Sequence, residues 1–183
     1  PEFLLTHPLS SSRISDAFNA AENISSENTK RDTLEFAVMK SRLEVYYENI
    51  PLNAIRIFNA RIQSNPSDAN YYGLALSHSN NNNYSESIKI INQLIAKYPK
   101  NLVLNNTKVD ILEAAGKYDD ALNLVNKLLD ISPRNYPLSI SKSKILLRIG
   151  KKFEAEEIIR DQLIRKNRDP ELWLLLSEIQ RAG

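Results

Sequence analysis

The chain has 183 residues, 42% of them hydrophobic, which is enough to bury a sizeable core in one domain or along an elongated array. Its 24 Lys and Arg stand against 22 Asp and Glu spread along the sequence, which argues against a nucleic-acid groove, and its four glycines and few alternating β-branched runs argue against sandwiches, barrels and phosphate loops. Cysteine is absent, which excludes disulfides and thiolate metal sites and fits either a cytosol or a periplasm; no apolar run approaches the roughly 20 residues that span a bilayer.

The first 32 residues stand apart from the rest of the chain. Pro1 to Pro8 reads as an extended lead-in and Ser10 to Ala21 as a short amphipathic helix carrying Ile14, Ala17, Phe18 and Ala21. Asn23 to Asp32 is a polar connector.

From there the sequence repeats. Asn49, Asn82, Gly116 and Gly150 are spaced 33, 34 and 34 residues apart, and Asn and Gly are the residues that most easily take the left-handed conformation that ends a helix. Five positions after each comes a small residue, Ala54, Ser87, Ala121 and Ala155, where two helices must approach closely. Pro66, Pro99, Pro133 and Asn167 form a third column at the same spacing, and proline ends a helix just upstream. Three columns with different physical origins therefore share one period. They predict helical hairpins at about 33 to 65, 68 to 98, 102 to 132 and 136 to 166.

Side-chain periodicity supports the division. Ala121, Leu122, Val125, Leu128 and Leu129 recur at three- and four-residue steps, as do Ile88, Ile91, Leu94 and Ile95, so each second helix carries one apolar stripe. A stripe needs a neighbour to cover it, which makes the array cooperative between adjacent hairpins. Pro170, Trp173, Leu176 and Ile179 begin a fifth first helix. Leu172, Trp173, Leu175, Leu176 and Ile179 are expected to leave apolar surface on more than one of its sides, to be covered by further chain or by self-association with a second copy.

At 34 residues the period resembles the tetratricopeptide repeat. Tyr71, Leu74, Tyr84, Ser87, Ile91 and Pro99 follow its pattern in the second repeat, and Leu112, Gly116, Tyr118, Ala121, Val125 and Pro133 follow it in the third. The departures are Asn105 and Ser139, where a large residue is usual, and Lys108 and Lys142, where leucine is common. The resemblance implies an all-α, right-handed superhelical solenoid that binds other proteins on a concave face lined by first helices. In that register the partner-binding candidates are Tyr46, Tyr47, Tyr72, Asn106, Asp110, Lys144 and Arg148. Asn106 and Asp110 put an acid where repeat domains that clamp a C-terminal carboxylate need neutral or positive groups, so a chaperone-tail receptor is not expected.

A second resemblance lies in the lead-in. Pro-Glu-Phe-Leu-Leu-Thr-His-Pro-Leu at residues 1 to 9, followed by Arg13-Ile14 and Asp16-Ala17, resembles the junction after the catalytic domain of periplasmic zinc metalloproteases of the β-barrel assembly-enhancing protease (BepA) group. That likeness implies a periplasmic module serving a protease or chaperone, with outer-membrane β-barrel proteins or their assembly machinery as partners and zinc held in the catalytic domain. Such a domain needs a His-Glu-x-x-His helix, which this sequence lacks, so no catalysis and no resident cofactor is expected here. Of the two histidines, His78 reads as a packing residue and His7 as a turn residue ahead of Pro8; in an intact protease His7 is also a candidate zinc ligand. The repeats alone support the other functional class, a free-standing scaffold with no protease attached.

Overall fold

The computed structural model describes residues 33–182, which are all helical apart from turns. The lead-in, the helix expected at residues 10–21 and His7 lie outside the described residues. Among the described residues the helices are α1 (Leu34–Tyr47), α2 (Pro51–Ser64), α3 (Asp68–Asn80), α4 (Tyr84–Lys97), α5 (Leu102–Ala114), α6 (Tyr118–Ile131), α7 (Tyr136–Arg148), α8 (Lys152–Arg165) and α9 (Pro170–Arg181). Odd-numbered helices are the first, or A, helices and even-numbered ones the second, or B, helices.

The turns within hairpins account for the Asn/Gly column. Asn82, Gly116 and Gly150 have φ of 59°, 71° and 79°. Each lets the next amide reach back five residues, Asn83 to His78, Lys117 to Leu112 and Lys151 to Leu146, at 2.8 to 2.9 Å, which closes the helix end. Asn49 departs from this pattern: it is absent from the left-handed set, and the chain instead passes through extended Ile50 into Pro51 at the start of α2. Accordingly α1 and α2 both pack on α3 and meet each other through the Arg61–Glu44 ion pair.

Between hairpins a fourth column operates. Ser67, Asn101, Asn135 and Asp169 stand at 34-residue intervals, and each caps the A helix after it by accepting a backbone N–H from its first turn.

The small column is buried throughout, with Ala54, Ser87, Ala121 and Ala155 at 2% exposure or less. Ser87 is accommodated because its hydroxyl donates to the carbonyl of Ala75 at 2.7 Å. The core continues along the stack, from Val38, Phe58, Tyr72 and Ile91 through Val109, Val125 and Ile145 to Ile159, Leu172 and Ile179. At α9 the expected exposure is corrected. Leu172, Leu175, Leu176 and Ile179 are buried with α8 residues such as Ile159 and Leu163, because they share one helical stripe; Trp173 and Leu174 carry the apolar surface left over.

Candidate functional site

A polar ladder crosses the A helices. Arg42 of α1 donates from Nε to the Tyr72 hydroxyl at 2.9 Å and from Nη2 to Thr107 Oγ1 at 2.8 Å. Thr107 gives its only hydroxyl proton to the Val103 carbonyl at 2.8 Å, so the 2.9 Å contact between Tyr72 and Thr107 must be donated by the tyrosine. One guanidinium thus ties α1 to α3 and α5 through a hydroxyl pair whose proton order is fixed.

The ladder continues into α7. Ser141 donates to Asp110 Oδ1 at 3.0 Å, and Asn106 Nδ2 lies 3.5 Å from Asp110 Oδ2. Burial pushes the Asp110 carboxyl up, opposed by the charge of Arg42, the Ser141 hydrogen bond and the charge of Lys144. Glu113, one turn along α5, is also pushed up by burial and by the Asp110 charge, with Lys144 and Arg148 opposing. Lys144 reaches Glu171 of α9 at 3.8 Å.

Beside the ladder lies a pocket of about 290 Å³ lined by Met39, Arg42, Leu102, Val103, Asn106, Asn135, Pro137 and Leu138, all on α1, α5, α7 or the α7 cap. No B helix contributes to it. Its walls are mostly apolar, with Arg42, Asn106 and Asn135 as polar edges, a combination suited to one apolar side chain and the main-chain amides beside it.

The expected site residues are distributed unevenly. Asn106 and Asp110 come together on α5, and Lys144 and Arg148 both lie near Glu113. Tyr46 and Tyr47 form an edge-to-face pair at 5.2 Å at the end of α1, where each is about three-quarters exposed. Tyr72 contradicts its expected exposure: its side chain is fully buried, with the hydroxyl spent on Thr107 and Arg42, because its ring fills the layer between α1 and α5. Arg42, Thr107, Glu113 and Ser141 belong to the ladder without being among the residues expected from sequence. The repeat itself offers a route to Arg42, since steps of 34 from it lead through Leu76 to Asp110 and Lys144.

His78 is half-buried on α3, with Nδ1 3.4 Å from the Asn83 side chain. Burial lowers its pKa, against the Glu86 charge. Among the described residues no cluster of three or more His, Cys, Asp or Glu side chains could hold a metal, and no helix is long and apolar enough to cross a membrane.

Comparison with known proteins agrees with this architecture. The Tetratricopeptide repeat family model matches residues 112–179. The fold is that of a tetratricopeptide-repeat solenoid. A thermophilic TPR protein of Thermus thermophilus is 18% identical, with a TM-score of 0.64 over 79% of this chain and 80% of its own. A tetratricopeptide repeat protein of Parabacteroides merdae is 22% identical, with a TM-score of 0.65 over 80% of this chain and 57% of its own, so this chain spans little more than half of it. MamA from Desulfovibrio magneticus is 10% identical, with a TM-score of 0.53 over 80% of this chain and 94% of its own. At these identities the likeness is one of fold. No curated protein matches the chain. Repeat stacks of this kind form extended concave surfaces.

Proposed function

We propose that this chain holds a protein partner by an extended segment laid across its A helices, with one apolar side chain of that segment in the pocket between α1, α5 and α7. The observation that carries this reading is the pocket itself: Met39, Leu102, Val103, Pro137 and Leu138 offer an apolar seat, and Arg42, Asn106 and Asn135 offer hydrogen-bonding edges beside it. Bonds to Tyr72 and Thr107 hold Arg42, the Asp110 contact holds Asn106, and the Leu138 N–H holds Asn135 before a ligand arrives, which lowers the ordering cost of binding.

The test uses a peptide selected by display against the 183-residue chain. Met39 is 44% exposed, so Met39→Glu is tolerated by the fold and charges the pocket; Leu52 of α2, at 59%, supplies the control Leu52→Glu. Met39→Glu should weaken the peptide about tenfold or more, with Leu52→Glu unchanged. Equal affinities for the two variants would refute the reading.

The resemblance of residues 1–9, Arg13-Ile14 and Asp16-Ala17 supports a finer reading of the partner. In it the module serves a periplasmic zinc metalloprotease or chaperone and presents outer-membrane β-barrel proteins, or their assembly machinery, to a catalytic domain that carries the zinc. His7 would then approach that zinc and restrain it. Alanine at position 7 in the whole protease should raise proteolysis; unchanged activity with unchanged zinc coordination removes the idea.

A further inference from the structure

The two lysines that break the repeat pattern, Lys108 and Lys142, both open into clefts between successive B helices, on the side away from the A-helix pocket. The Lys142 cleft, about 640 Å³ between α6 and α8, is supplied with acids: Asp130, Glu157 and Asp161 line it, and Asp161 already pairs with Arg134 at 3.6 Å. The Lys108 cleft, about 410 Å³ between α4 and α6, is the opposite. Lys108, Lys117 and Lys127 line it against Asp120 alone, and none of these four side chains makes an ion pair among the described residues.

Lys108 is the telling member. It is half-buried on α5, beside the apolar Ile88 and Leu124, and makes no ion pair with Asp120, the one acid of the cleft. Its stem covers the apolar floor, which a leucine would do as well, while its ammonium adds to a cleft in which three lysines face one acid. This excess of positive charge points to a ligand that balances it. We propose that the cleft between α4 and α6 is a second docking site, and that it takes an acidic segment of a partner protein, with a Glu or Asp carboxylate on Lys108 and further acids on Lys117 and Lys127. Charge complementarity selects an acidic occupant, and the cleft's own lining selects protein over nucleic acid. No aromatic side chain lines it for base stacking, and its apolar walls suit the methylenes of an acidic side chain.

The probe is a fluorescein-labelled deca-glutamate peptide, measured by anisotropy on the 183-residue chain, with a deca-glutamine peptide, a single-stranded DNA decamer and vesicles containing phosphatidylglycerol as the comparison arms. Lys108→Leu and Lys142→Leu make the same chemical change in the same repeat column, one in each cleft. Lys108→Leu should weaken deca-glutamate about tenfold while Lys142→Leu leaves it within about twofold, and the signal should fall with added salt. Lys127→Glu should reproduce the loss. Any of three results overturns the proposal: no binding of deca-glutamate by the parent chain, equal losses in the two leucine variants, or DNA or vesicles binding as tightly with the same dependence on Lys108. Thermal melts of both variants separate a binding loss from unfolding. Met39→Glu should leave this affinity unchanged, which makes the result independent of the A-helix pocket.

Discussion

A Cβ atom added to Gly73 would overlap the Phe58 ring. Phe58 is the large anchor of α2, itself 2% exposed, and it lies against the bare backbone of α3. Helix propensity alone would make Gly73→Ala stabilising by about 1 kcal/mol. The clash should reverse that sign, giving a net loss of about 1 to 3 kcal/mol in a denaturant melt. Phe58→Leu in the same chain should recover part of it, and additive losses would show that the two residues are not in conflict.

Arg134 carries φ of 58° without being glycine. Its backbone is held there by the turn at Pro133, with Asn135 N–H bonded to the Ser132 carbonyl at 3.2 Å. The salt bridge to Asp161 is exposed and long, so it offsets little. Arg134→Gly should therefore raise stability by about 0.5 to 1 kcal/mol, whereas Gly116→Ala, at φ of 71°, should lower it by about 1 kcal/mol. Thermal melts of the pair check both signs.

The three columns read from the sequence concern backbone and close packing, and those are local matters. A left-handed turn at Gly116 or a small residue at Ala121 is imposed by sterics within one hairpin, so residue type reveals it. Tyr72 is not legible in the same way: a tyrosine in that register can face solvent or fill the layer, and the choice depends on Arg42 and Thr107, 30 and 35 residues away in sequence. The Ser67, Asn101, Asn135 and Asp169 caps are legible in principle, since Asn, Asp and Ser before an apolar run mark a helix start. Asn49 shows the reverse error, a residue able to adopt the left-handed form that has no need to, because Pro51 already starts the next helix.

Asp110 makes the stability of the fold depend on pH. Its folded pKa lies above the unfolded value, so its ionised form destabilises the fold at neutral pH, and this penalty disappears as pH falls below the ordinary carboxylate range. Asp110→Asn keeps an acceptor for Ser141 and removes the charge. It should raise stability at pH 7 by roughly 0.5 to 2 kcal/mol, with the gain shrinking toward pH 3. A gain that grows as the solution is acidified would show that the carboxylate is stabilised in the fold, against this reading.

His78 has the opposite dependence. Its folded pKa is lowered, so protonation favours the unfolded chain and stability should fall as pH drops through the ordinary histidine range. His78→Gln should flatten the melting temperature between about pH 7 and 5 relative to the parent, since the group that titrates there has been removed.

The central claim is that a partner segment lies on the A helices. Hydrogen exchange on the full chain, with and without the display-selected peptide, tests it most directly. Binding should slow exchange in α5 and the start of α7, around Leu102 to Asn106 and Asn135 to Leu138, and leave the outer B-helix residues of α6 and α8 unchanged. Protection confined to α6 and α8, with none around Met39 or Asn106, would contradict it.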